Sequence, residues 1–288
     1  MIPQKSLVFI GAHPDDETFG MGATLAKYAR EGVKVYYICA TRGEAGDAEP
    51  QYMKGYTDVA EMRSAELKAA AQVLGLTGVF HLGYRDSGMP GTPDNQNPRA
   101  LIQASVDEVA EKIIKILLDI KPQVIITHDP SGGYQHPDHI ATHRAVVKAF
   151  NDLLQMKSPI YQPRKLYFGV RSHRLMKLTI RLMPLLGQDP HRFGRNKDID
   201  LTRIVEIEYP IHAYVKLSRK DMETRVRAAA CHASQGGGRQ PSRGRGLLGL
   251  INALVSVNNL LFGYKDYFMR AYPAPQGKRR EADLFEGI

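Results

Sequence analysis

Two short apolar runs in this chain each stop at a cluster of imidazoles and carboxylates, and each cluster gives way to helical periodicity. The first run is Leu7-Val8-Phe9-Ile10, followed by Gly11-Ala12-His13-Pro14-Asp15-Asp16-Glu17. The second is Val124-Ile125-Ile126, followed by Thr127-His128-Asp129-Pro130-Ser131-Gly132-Gly133-Tyr134-Gln135-His136-Pro137-Asp138-His139. A short apolar run bounded by turn residues reads as a buried strand. Strands that alternate with helices form a mostly parallel sheet covered on both faces. In such sheets ligands bind where strands end and helices begin, and both clusters fall on that edge.

The residue types there point to a cation. His13 and Asp16 are three apart across a tight turn, so both can face one ion. Zinc takes His nitrogen and carboxylate oxygen at about 2.0–2.2 Å, and catalytic zinc usually keeps three protein ligands and one open position. Asp15 cannot easily enter the same coordination sphere and is placed to take a proton from a water held there. His136 and His139 are again three apart. If the two loops meet over one sheet edge, they supply three ligands, a base and a spare imidazole. Taken alone, the first cluster also fits a turn with an Asp helix cap and a solvated acidic pair. Iron(II), cobalt or nickel would also suit two imidazoles and one carboxylate.

The paired motifs His-Pro-Asp-Asp-Glu and His-Pro-Asp-His resemble those of the LmbE-like, or PIG-L, zinc-dependent deacetylases, which remove an acetyl group from N-acetylglucosaminyl compounds. The resemblance is good over roughly the first 150 residues and looser beyond. Tyr84-Arg85-Asp86-Ser87-Gly88-Met89 looks like the branch that holds the mycothiol-pathway deacetylases and amidases. The resemblance implies that His13, Asp16 and His139 are zinc ligands and that Asp15 is the general base. It implies that His136 is a charged or acid imidazole facing the substrate carbonyl, held by Asp138, and that Tyr134 helps polarise that carbonyl. It implies that Arg63, Glu44 and Asp86 contact the sugar or its aglycone. Two other outcomes stay open: an amidase acting on a larger sugar-thiol conjugate, and a glycolipid or membrane-surface binding protein with a relic metal site. The proton donor to the leaving amine is either His136 or the acid form of Asp15.

The remaining elements follow in order. Residues 33–40 read as a second strand that runs into a loop carrying Glu44. Residues 58–74 read as a helix capped by Asp58 and stopped by Gly75, with Arg63 in its middle. Residues 79–82 are a third strand, followed by a long polar loop, 83–98, of the kind that is often functional. Residues 100–119 carry apolar side chains at helical spacing. Beyond about residue 157 the pattern changes: strands at 165–170, 203–208 and 264–272, and a helix at 218–233. A basic amphipathic stretch at 174–187 reads as core, or as a membrane-surface or homo-oligomer contact. Residues 235–246 are Gly- and Arg-rich, and 247–262 are apolar but shorter than a usual span of about 20 residues. The expectation is an α/β, Rossmann-like sheet with helices on both faces over residues 1–157. A smaller C-terminal α+β extension, 158–288, completes the pocket and packs with the core as one unit.

Composition narrows the function classes. With 288 residues and 43% apolar content the chain can bury a full core. Two cysteines, Cys39 and Cys231, argue against a disulfide framework, and the start of the chain lacks the pattern of a signal peptide, so a cytoplasmic enzyme is expected. The formal net charge of +9 comes without a nucleic-acid-binding signature. The expected partner is therefore a small amino sugar, with an anionic or lipid-linked group as one way to use the charge.

Overall fold

A computed structural model of the chain describes residues 4–156, 161–192, 200–238 and 263–288. Its centre is the first apolar run. Strand β1 (Ser6–Gly11) is buried along its whole length, with β2 (Lys34–Cys39) on one side and β4 (Val124–His128) on the other. Because side chains alternate along a strand, Leu7 and Phe9 enter one core with Val35, Tyr37, Val124 and Ile126, while Val8 and Ile10 enter the other with Ile38 and Ile125. Both faces of β1 are thus covered, as the unbroken apolar run requires.

The sheet has seven strands in the order β3-β2-β1-β4-β5-β7-β6, where β3 is Gly78–His81, β5 Lys165–Val170, β6 Ala213–Leu217 and β7 Tyr264–Tyr272. The strands from β3 through β5 are mutually parallel, and β7 runs antiparallel to both β5 and β6. This is the expected mostly parallel α/β architecture, with a sheet that continues beyond residue 157. The chain leaves β1 toward β2 and later returns to pair β4 on the other side of β1. The strand order reverses there, which opens a crevice at the carboxyl ends of β1 and β4. Ile10 pairs with Thr127, so both motif loops start side by side.

Helices α1 (Asp16–Phe19), α2 (Gly22–Arg30) and α3 (Val59–Leu74) come early in the chain. Helices α4 (Val106–Ile120), α5 (Gly132–Gln135) and α6 (Pro137–Gln155) follow. Ile113 and Leu117 of α4 and Phe150 and Leu153 of α6 cover the Val8 face, and Leu25 and Tyr28 of α2 and Leu67 of α3 cover the Phe9 face. Asp58 caps α3 by accepting from Glu61 N at 2.8 Å, and Gly75 ends it in the left-handed region. The helix expected from residue 100 starts later. Leu101–Gln103 is a single 3₁₀ turn, and Ser105 caps α4 through Glu108 N.

The later half differs from expectation at two elements: strand β6 lies where no strand is expected, and one expected strand is a helix. Residues 203–208, expected as a strand, lie largely in helix α8 (Leu201–Glu206), which comes after α7 (Arg174–Leu182). Asp200 accepts from Thr202 N at 2.9 Å and caps α8, a local bond that outweighs a short alternating pattern. Helix α9 (Arg219–Cys231) carries a full capping box between Ser218 and Asp221 and packs on α2 and α3. The apolar segment 247–262 and most of the basic loop lie outside the described residues. No helix among the described residues is long and apolar enough to cross a membrane. After β7 the chain crosses back under the sheet. Glu281 accepts from Lys165 Nζ at 2.7 Å and Tyr167 Oη at 2.5 Å, and Leu284 and Phe285 join the core around Leu7.

Candidate metal and catalytic site

The turn after β1 is built by its own polar groups. Asp16 Oδ2 folds back to accept from Ala12 N at 2.8 Å and His13 N at 2.9 Å, while Tyr37 Oη donates to His13 O at 2.6 Å. These bonds leave Asp16 Oδ1 turned toward the second loop, 3.3 Å from His139 Nε2. There, Pro137 sets the first turn of α6, and His136 is its N-cap, with Nδ1 accepting from Asp138 N at 3.2 Å. His139 lies in that same first turn and faces β1. Its Nδ1 is 3.2 Å from Gly132 O, the geometry of a donated bond. A side chain at Gly132 would meet Ile140 at 2.8 Å, and its φ of 69° suits glycine.

His13 and His139, 126 residues apart, meet at 3.2 Å between Nδ1 and Nε2. Each ring's other nitrogen has an oxygen acceptor: His13 Nε2 lies 3.1 Å from Asp138 Oδ2, and His139 Nδ1 faces Gly132 O. With the His13 proton on Nε2 and the His139 proton on Nδ1, both facing nitrogens carry lone pairs, which a metal ion would bridge; with His13 doubly protonated between Asp86 and Asp138, its Nδ1–H donates to His139 Nε2 instead. Asp16 lies 3.3 Å from His139 Nε2 through Oδ1 and 4.0 Å from His13 Nδ1 through Oδ2. A tetrahedral ion with bonds of 2.0–2.2 Å places its ligand atoms about 3.3–3.6 Å apart. The 3.2 and 3.3 Å separations are close to that spacing and the 4.0 Å one is longer; the imidazoles and carboxylates gathered here could hold a metal ion. Among the described residues the groups whose donor atoms converge are His13 with His136 and His139, Asp16 with His128 and His139, and His13 with Asp86 and Asp138; the trio expected from the resemblance, His13, Asp16 and His139, is not one of them.

Every residue singled out from the sequence at the two motifs reaches this crevice, but two contacts differ from expectation. Asp138, expected to hold His136, places its carboxylate on His13 instead, and Asp86 lies 3.6 Å from the same nitrogen. Asp138 Oδ2 also accepts from Ser87 N at 2.9 Å, so the long loop 83–98 closes over it. A carboxylate behind a ligating imidazole fixes its tautomer and raises its basicity. The second difference is the charge expected on His136. Burial, with the neighbouring His13 and His139, pushes its pKa down to about 2. That direction favours the neutral imidazole, and because Nδ1 accepts from Asp138 N, its proton is then on Nε2.

Charge balance elsewhere follows from who faces whom. Burial opposes ionisation of Asp16, but His139 and His128 outweigh it and hold the carboxyl well below its usual range. For Asp15, burial dominates and raises the pKa to about 6 against the pull of Arg63, with Asp16 adding to the rise. Burial likewise opposes the charge on His13, yet Asp86 and Asp138 raise its pKa. Tyr134 stands edge-on to His136 and His139, and burial with the nearby carboxylates raises its phenol, which stays protonated.

The three expected substrate contacts play distinct parts. Arg63 is 4% exposed and spends its guanidinium on Asp15 Oδ2 at 2.9 Å, Pro14 O at 2.8 Å and Gly43 O at 3.1 Å. Gly43 admits it: a side chain there would meet Nη1 at 2.1 Å. Glu44 accepts from Asp86 N at 3.0 Å, and Asp86 sits against His13. His128, left without a role by the sequence, stacks on His139 with ring centroids 3.9 Å apart and planes 8° from parallel. Its Nε2 is 3.3 Å from Asp16 Oδ2. Its place as the last residue of β4, beside the end of β1, is the available signal. Glu17 and His232 form a buried pair at 2.7 Å across 215 residues, which no sequence pattern marks.

Known proteins resemble this chain over its whole length. The GlcNAc-PI de-N-acetylase family, PIG-L, matches residues 8–150. A 1D-myo-inositol 2-acetamido-2-deoxy-alpha-D-glucopyranoside deacetylase from Acidothermus cellulolyticus is 35% identical, covering 99% of this chain and 95% of its own. Among solved structures, N,N'-diacetylchitobiose deacetylase from Pyrococcus horikoshii aligns with a TM-score of 0.58 at 20% identity, covering 92% of this chain and 83% of that one. The conserved protein TT1542 from Thermus thermophilus aligns at 0.57 and 21%, covering 95% and 96%. At those identities the two structures speak for the fold alone.

Proposed function

The chain belongs to the PIG-L family, and from that premise we propose that it is a metal-dependent hydrolase that removes the acetyl group from an N-acetylglucosaminyl compound. The N-acetylglucosaminyl-inositol named for its relative from Acidothermus cellulolyticus is the first substrate to try. One observation carries the reading. Two imidazole nitrogens face each other at 3.2 Å with Asp16 beside them, and the neighbouring carboxylate, Asp15, is held by Arg63.

His13 Nδ1, His139 Nε2 and Asp16 Oδ1 would hold the ion. Zinc there would act as a Lewis acid and lower the pKa of a water from 15.7 toward about 7. Asp15 takes the proton of the water that attacks the acetamide carbon. Its raised pKa makes it a better base than an exposed carboxylate and leaves it mostly ionised at neutral pH. His136 donates its Nε2 proton in a hydrogen bond to the amide oxygen as negative charge develops there, a neutral donor's role. Tyr134, protonated and at the rim, is a second donor to the same oxygen. As the C–N bond breaks, Asp15 passes its proton to the amine nitrogen.

The test is to incubate zinc-loaded protein with N-acetylglucosaminyl-inositol and score free amine and acetate. Equal amounts of both, lost on chelation and restored by zinc, are expected. Release of neither, or of a larger acyl fragment only from a sugar-thiol conjugate, would overturn the deacetylase assignment. Elemental analysis of Asp16→Asn and His136→Gln separates the two candidate third ligands: the former should lose the metal and the latter keep it.

A further inference from the structure

Asp15 sits at φ 137° and ψ −23°, a backbone conformation that residues other than glycine rarely adopt. Such a residue persists only where its surroundings hold it. Two arms do so. One holds the backbone: Asp15 N donates to Glu17 Oε2 at 2.9 Å. The other holds the side chain: Arg63 of α3 donates to Asp15 Oδ2 at 2.9 Å and to the carbonyl of Pro14.

Both arms lead to one place far along the chain. Glu17 is fully buried, and His232 Nε2, just past the end of α9, meets its Oε1 at 2.7 Å. His232 is itself fully buried, and its Nδ1 has no hydrogen-bond partner among the described residues. The one hydrogen bond of its imidazole among them is therefore to the Glu17 carboxylate. Two residues on, Ser234 donates its N–H at 2.8 Å and its hydroxyl at 2.7 Å to the carboxylate of Glu66, one turn beyond Arg63 on α3. Among the described residues neither His232 nor Ser234 has a hydrogen bond, ion pair or ring contact with His13, His136 or His139.

We infer that His232, acting through Glu17, is a positioning residue for Asp15, and that segment 232–234 ties together the two arms that hold it. The inference rests on Asp15 being the base. A buried carboxylate needs a paired donor. Glu17 Oε1 also accepts from Thr18 Oγ1 at 2.5 Å, a neutral donor on the same short helix, so removing His232 leaves the buried carboxylate without its imidazole partner and loosens the hold of Oε2 on the Asp15 peptide. A displacement of about 1 Å at a catalytic group costs on the order of 10²-fold in rate.

The test uses the full chain loaded with zinc, with N-acetylglucosaminyl-inositol as substrate. His232→Leu should lower kcat by about 10²-fold while KM stays within about twofold and zinc content is unchanged. His232→Gln, whose amide can still donate to Glu17, should recover most of the loss. In an Asp15→Asn background, His232→Leu should cost little more, because residues that act through one another are non-additive. If His232→Leu does not fold, Ser234→Ala carries the same test: a smaller loss in kcat, again absent in the Asp15→Asn background. Multiplying losses in the double variant, zinc lost in step with kcat, or no rescue by Gln would overturn the inference. A large loss in Asp15→Asn with none in His232→Leu or Ser234→Ala defeats it alone. Full activity in Asp15→Asn defeats the base assignment and the inference with it.

Discussion

Asp15 is under opposed influences, and each can be moved separately. Asp15→Asn should retain zinc and lose about 10²–10⁴ in kcat, the usual range for general-base catalysis; metal analysis and steady-state kinetics check both halves. Its pKa fixes the sign of the pH dependence. The carboxylate must be ionised to accept a proton, so activity should fall as pH drops through that pKa. Burial raises the group to about 6 and Arg63 lowers it. A bound cation also lowers it, so the acid limb of kcat/KM in the loaded protein should lie below about 6. Replacing Arg63 by Gln removes a lowering influence and should move that limb to higher pH; a limb that stays put would disconnect it from Asp15. His136→Phe removes a neutral donor to the developing oxyanion and should cost about 10²–10³ in kcat, with KM little changed.

Among the elements, the return of the chain beneath the sheet after β7 is held by a buried charge. Glu281 bonds Lys165, Tyr167 and Arg270, with Lys165 and Glu281 mostly out of water. Breaking a buried pair by removing one partner leaves the other charge uncompensated and costs about 3–5 kcal/mol. Glu281→Ala should lower stability in a urea titration by that order. The strand ends that carry the metal site lie elsewhere, so zinc stoichiometry should hold. The elements nearest the motifs are the most legible. Leu7 to Ile10, the Asp58 cap and the Gly75 stop each encode their structure within a few residues. The strand expected at 203–208 fails for the same local reason in reverse: Asp200 caps a helix there. Strand β6 is not legible because it is only five residues long, Lys216 is its one charged residue, and its partner β7 lies about 50 residues away.

For the whole molecule, the metal is expected to couple distant parts of the fold. Its proposed ligands come from β1–α1 and α6, so binding should stabilise the folded state over the unfolded chain by mass action. Chelation should lower the melting temperature, and added zinc should restore it in proportion to the logarithm of its concentration. A melting temperature indifferent to both would remove the cation from the site.

The sequence by itself determined the strand–turn–helix at each motif, the kinds of ligand and base available, and the mostly parallel α/β class. These depend on periodicity, turn chemistry and capping over short windows. Only the tertiary structure decided which atoms face each other. The order of strands sets β4 beside β1, and that adjacency brings His13 to His139, turns the Asp138 carboxylate onto His13 rather than His136, and buries His136 among imidazoles that oppose a charge on it. It also carries His232 to Glu17 from the far end of the chain. Burial and the choice of partner set a side chain's charge, and both belong to the packed sheet rather than to any stretch of residues.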